Sequence, residues 1–159
     1  MSILAAFMVP HPPMIVPEVG KGSEAQITET TEAYERVADE VAALKPETMI
    51  ITSPHSVMYA DYFHISPGSG AEGSFSRFRA PGAAFSEQYD TELVKRICGL
   101  ADEEGFPAGT LGEKDPELDH ATMVPLWFIR KKYAGRNDQA TQQKMQQETM
   151  EMYQKENFN

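Results

Sequence analysis

Three of the four histidines in this 159-residue chain stand where an imidazole can do chemistry. His11 in "FMVPHPP" and His55 in "ITSPHSV" each follow an apolar run and a proline. Proline fixes φ at positions 10, 12 and 54, and Pro12 also pushes His11 toward extended geometry, so less placement entropy remains to be lost on coordination. Two converging neutral imidazoles make a large part of a metal site, suited to iron, zinc, copper or nickel. The bland alternative is that each histidine caps its strand by hydrogen bonding. His120 follows Asp119 at a predicted helix start, where the carboxylate can cap the helix and orient the ring. An ordinary pKa of about 6.5 lets that imidazole take or return a proton near neutrality. Ser53 or Ser56 with His55 and Asp61 has the residue types for acyl transfer, but no nucleophile-elbow pattern surrounds either serine. A phosphate loop is excluded as well, because "SPGSGAEG" lacks the lysine and following helix.

For His11 and His55 to meet, the segments before them must lie side by side. "SILAAFMV" at 2–9 and "TMIITS" at 48–53 read as buried strands, and the helix between them implies a parallel pair with a right-handed crossover. The carboxyl ends of such strands share one edge, where ligands bind. The intervening helix opens with Ser23 and Gln26 at capping-box spacing, carries Ile27, Thr30, Tyr34, Val37, Val41 and Leu44 on one stripe, and stops at Pro46.

"YADYFHIS" alternates as a strand with Phe63 and Ile65 on one face and Tyr62, His64 and Ser66 on the wetter other; His64 is read as a strand residue rather than a ligand. Residues 66–82 are rich in Gly, Ser and Pro and read as a long loop whose Arg77 and Arg79 could meet an anionic substrate. "EQYDTELVKRICGLADEEG" is predicted as a helix with Tyr89, Leu93, Ile97 and Leu100 inward and Gly105 as its stop. Another helix is predicted to begin near His120 and to bend at Pro125. The fold class expected is α/β, a mostly parallel or mixed sheet with flanking helices.

Composition narrows the function. With 41% hydrophobic residues the chain can bury a core, and 24 acidic against 14 basic residues give a charge of −10. That charge disfavours nucleic acid and anionic membranes, leaving a small molecule or a protein as partner. A lone cysteine, Cys98, rules out an internal disulfide and reads as a buried structural thiol; with no apolar leader or span, the expected compartment is the cytoplasm.

Taken together, "PHPPMIVPEVGKG", "ITSPHSVMYADYFHISPG" and "LDHATMVPL" resemble the class III extradiol ring-cleavage dioxygenases of the LigB type. They are most similar to the dioxygenase-like first domain of the AmmeMemoRadiSam system proteins, which are related to Memo. The resemblance implies an α/β fold with non-haem Fe(II) held on His11, His55 and a carboxylate, while Zn(II) on the same two imidazoles is the alternative that their chemistry allows. The resemblance gives His120 the acid and base role in opening the ring of a small aromatic diol. The family motif continues with glycine where this chain has Ala121.

The likeness spans 1–133, the N-terminal part of an incomplete LigB-like domain, and leaves 134–159 as a Gln- and Met-rich tail. Glu148, Glu151 and Glu156 in that tail read as solvated charges rather than as the third ligand. An uncovered sheet edge would favour homo-oligomers. The alternatives are a non-catalytic, Memo-like protein-binding module and, more weakly, a zinc-dependent hydrolase.

Overall fold

The computed structural model describes residues 2–114 and 117–133. In chain order its elements are α1 (Pro17–Gly20), α2 (Thr28–Leu44), β1 (Phe63–His64), β2 (Gly70–Phe75), β3 (Ala80–Gln88), α3 (Thr91–Glu104), β4 (Ala108–Gly109) and α4 (His120–Lys132), with short 3-10 turns between some of them. β1 and β4 pair in parallel and β2 and β3 antiparallel, so the class is α/β with mixed strands.

Helices α2 and α4 form the centre of the core. Tyr34, Ala38 and Val41 are the buried residues of α2, and α4 buries most of its middle, including Met123, Val124, Leu126 and Phe128. Tyr34 stacks on Phe128 with ring centroids 4.5 Å apart and 13° between planes. The same apolar cluster takes in Ile15 and Val16 from the turn after His11, and Phe75 and Phe85 from the β2–β3 hairpin. Pro125 is buried inside α4, where it lacks the N–H of an ordinary helical residue.

Among the three longer helices, α3 and α4 start on a side-chain cap and α2 does not. Asp90 caps α3 through Leu93 N–H, and Gly105 closes that helix at φ 65°, a left-handed value that glycine adopts without a Cβ penalty. Asp119 caps α4 by accepting from Ala121 and Thr122 N–H. The capping box expected at Ser23 and Gln26 does not form: 23–27 is a 3-10 turn, and α2 starts after Ile27 with no side-chain cap.

The structure corrects four further expectations. Residues 2–9 and 48–53 join no ladder, and Ile3, Met8 and Ile50 are 91%, 101% and 72% exposed. An apolar run reads as a buried strand only if a neighbour supplies the other half of its hydrogen bonds, and none does among the described residues. The stretch read as a loop is largely the β2–β3 hairpin. Gly73 in it reflects packing: a Cβ there would stand 2.6 Å from the Leu118 carbonyl oxygen, so only glycine lets β2 lie against the approach to α4. The faces of β1 are reversed, with Phe63 outward against Phe106 and His64 half-buried. In α3, Leu100 is exposed and Ala101 takes the inward place.

Cys98 is free and half-buried. No helix among the described residues is long and apolar enough to cross a membrane. The tail at 134–159, with Glu148, Glu151 and Glu156, lies outside the described residues.

If the α2–α4 stack is the keystone of the core, Phe128→Ala should destabilise the fold by about 3–5 kcal/mol, the usual cost of an emptied aromatic site. Urea unfolding followed by tryptophan fluorescence measures this, and a loss of under about 1 kcal/mol would contradict it.

Candidate metal centre

The turn that carries His11 is held from both sides. After it, Pro12 and Pro13 lead into a 3-10 turn in which Ile15 N–H bonds the Pro12 carbonyl, and the buried Ile15 and Val16 anchor that turn in the core. Before it, the Tyr34 hydroxyl donates to the Pro10 carbonyl oxygen. Burial drives the Tyr34 hydroxyl well above the usual tyrosine range, so it stays a protonated donor.

His55 lies in an exposed turn with no regular structure. Its N–H donates to Ser53 Oγ at 3.1 Å, and Ser56 Oγ donates to Asp119 Oδ2 at 3.1 Å. His120 is the first residue of α4, immediately after the Asp119 cap.

The three rings converge. His11 Nε2 and His55 Nε2 are 2.9 Å apart. Ring centroids are 4.9 Å apart for His11 and His55, 4.3 Å for His55 and His120, and 5.7 Å for His11 and His120. One ring nitrogen from each lies within 4.8 Å of the others, a group able to hold a metal ion. Metal–imidazole bonds of about 2.0–2.1 Å at a right angle put two ligand nitrogens about 3 Å apart. The His11–His55 spacing fits that requirement. His11 and His120 are half-buried and His55 exposed, so the cluster opens to solvent on the His55 side.

The electrostatics favour the neutral form of His120. Burial first, then the charge of His55, pull His120 below its ordinary pKa of 6.5; Asp119 opposes them, and His11 adds a smaller downward push. Burial pulls Asp119 the other way, yet hydrogen bonds from Ser53, Thr122 N–H, Ser56 and Ala121 N–H outweigh it and hold the carboxyl below its usual range. Asp119 is therefore an anion beside a neutral His120 at pH 7.

The remaining candidates fall elsewhere. His64 bonds the Leu111 carbonyl through Nδ1 at 3.1 Å. Arg77 pairs with Glu117 at 3.7 Å with both side chains in solvent, a contact worth little. Arg79 ends the 3-10 turn between β2 and β3 and is exposed. The acyl-transfer arrangement is not assembled: Ser53 and Ser56 both donate to Asp119, while the His55 ring turns to His11 and His120.

Sequence reasoning missed Phe78, whose ring stands 5.4 Å from His120 at 67°. It sits in the segment read as a loop, and an aromatic residue between two arginines in a glycine-rich stretch was the available signal.

An α/β domain that gathers three imidazoles from two proline-rich turns and a helix start defines a class of candidate metal-dependent domains. The family described as the catalytic LigB subunit of aromatic ring-opening dioxygenase matches residues 5–157, and the chain belongs to it. Protein CA_C1420 of Clostridium acetobutylicum is 38% identical over 141 residues, covering 84% of this chain and 30% of that protein. The 2-aminophenol 1,6-dioxygenase beta subunit of a Pseudomonas species is 28% identical over 143 residues, covering 81% of this chain and 45% of its own length. The chain thus spans less than half the length of either relative. No solved structure matches.

His120 binds its proton less readily folded than unfolded, so the unfolded chain holds more protons just below pH 6.5 and stability rises with pH through that interval. Urea midpoints of the metal-free protein should fall between about pH 7.5 and pH 5.5, and His120→Gln should flatten that fall. An unchanged slope in the variant would contradict it.

Proposed function

We propose that this chain is a dioxygenase-like, metal-binding domain of the extradiol class that holds Fe(II) on His11 and His55. The observation that carries the reading is the 2.9 Å approach of those two ring nitrogens with His120 beside them. When bound, Fe(II) would supply open positions for an aromatic diol and dioxygen and lower the cost of ionising the diol.

The chain's own residues do the rest. The prolines and the Tyr34 hydroxyl hold His11 in place, which limits the entropy lost on binding. His120, kept neutral by burial and by His55 against the opposing pull of Asp119, accepts a proton from a substrate hydroxyl and returns it later. Phe78 shields one side of that ring from water and offers an aromatic wall to an aromatic substrate. The family likeness adds a carboxylate ligand, and no carboxylate joins the three histidines among the described residues. The name of the Pseudomonas relative supports an aromatic substrate bearing adjacent polar groups.

A second reading, a non-catalytic protein-binding module, is favoured by the exposed Ile3, Met8, Ile50, Met58 and Phe63. Zn(II) in the same site would support a hydrolase instead.

Purified protein titrated with Fe(II) under anaerobic conditions should bind it, and His11→Ala or His55→Ala should lower the affinity at least about 100-fold. Binding indifferent to both substitutions would overturn the site. With a panel of catechols and aminophenols, oxygen uptake suppressed by His120→Ala at unchanged metal content supports the enzyme, whereas metal binding with no uptake supports the module.

A further inference from the structure

His55 presents a physical problem that the other two histidines do not. His11 is braced by buried residues and His120 belongs to a helix packed in the core, whereas residues 54–58 are exposed and have no regular structure. Something must nonetheless fix the turn, because its imidazole lies 4.3 Å, centroid to centroid, from that of His120.

Asp119 supplies the contact. Its Oδ1 accepts from Ala121 N–H at 2.8 Å and Thr122 N–H at 3.1 Å, which is the helix cap. Its Oδ2 accepts from Ser56 Oγ at 3.1 Å, and Ser53 also donates to the carboxylate. The same Ser53 Oγ accepts the backbone N–H of His55 at 3.1 Å. A carboxylate offers about four acceptor positions, and two amides and two hydroxyls fill them. The hydroxyl bonds run to an anion, the stronger class of hydrogen bond, and the anion sits at the positive end of α4.

We infer that Asp119 is a positioning residue that clamps the 53–56 turn to the start of α4 and so sets the His55 ring against that of His120. The cap uses Oδ1 and the bond from Ser56 uses Oδ2 of the same carboxylate. Through it the rigidity of α4, anchored by Val124, Leu126 and Phe128, passes to a largely exposed turn with no regular structure. Ser53 and Ser56 are then clamp donors, which accounts for the two hydroxyls on either side of His55 without a nucleophilic role.

The inference rests on reading His55 as a metal ligand only for its effect on affinity; the placement of the ring is independent of any metal. Two measurements keep these apart. In the metal-free protein, an NMR cross-relaxation signal between the ring protons of His55 and His120 should be present and should vanish in Ser53→Ala/Ser56→Ala, whose helix cap is untouched. Ser53→Thr/Ser56→Thr, which keeps both hydroxyls, should restore it. In parallel, Co(II) titrated by its visible absorption should bind the alanine pair about 10- to 100-fold more weakly than the wild type, with the threonine pair near wild type.

If the alanine pair loses its fold, Asp119→Asn carries the same comparison, since it keeps a cap acceptor but turns a donor toward Ser56. A wild-type cross-relaxation signal in the folded clamp variant would overturn the clamp. Loss of that signal in a protein that binds no Co(II) at all would uphold the clamp while the metal reading fails.

Discussion

The stack of Tyr34 on Phe128 joins the two helices from which all three histidines are held. Tyr34 uses its ring to pack against α4 and its hydroxyl to hold the carbonyl before His11. Phe128 lies in the helix whose first residue is His120 and whose cap, Asp119, bonds the turn around His55. Dispersion and hydrophobic burial at one ring pair thus fix the frame, and a few directional hydrogen bonds carry it out to the imidazoles. Such a division makes the cluster both rigid and open, because the core lies beneath the histidines and His55 stays exposed.

The same frame explains the electrostatics. Gathering three imidazoles in a partly desolvated corner disfavours the charged ring, and a second charged imidazole nearby disfavours it further. His120 feels both effects, with Asp119 pulling against them. Asp119 can remain ionised because its four hydrogen bonds outweigh the cost of its burial. The result is an anion at the start of α4 beside a neutral imidazole.

Much of the site was legible in the sequence because its signals are local. Proline on the N-terminal side of His11 and His55, and aspartate before His120, announce constrained turns and a capped helix, and the structure brings those three histidines together. Helices α2 and α3 were legible from apolar spacing and stop signals, and α4 from its start at His120 after Asp119. The strands were not: 2–9 and 48–53 are apolar enough for a sheet interior, but pairing depends on what lies alongside, which no short window of sequence contains. The β2–β3 hairpin was hidden by its small residues, which give no alternating apolar pattern; one of them, Gly73, serves the close approach to Leu118. The bond from Ser56 to Asp119 spans 63 positions and has no local signature. The chain belongs to the LigB family and spans less than half the length of either relative.

The central claim is that His11, His55 and His120 form one site in which at least two imidazoles bind a single metal. X-ray absorption at the metal edge of the Fe(II)-loaded protein tests it directly, since bound imidazoles give outer-shell scattering that carboxylate and water do not. The account predicts scattering from two or more imidazoles, reduced in His55→Ala. A coordination shell of oxygen alone, unaltered by that substitution, would contradict it.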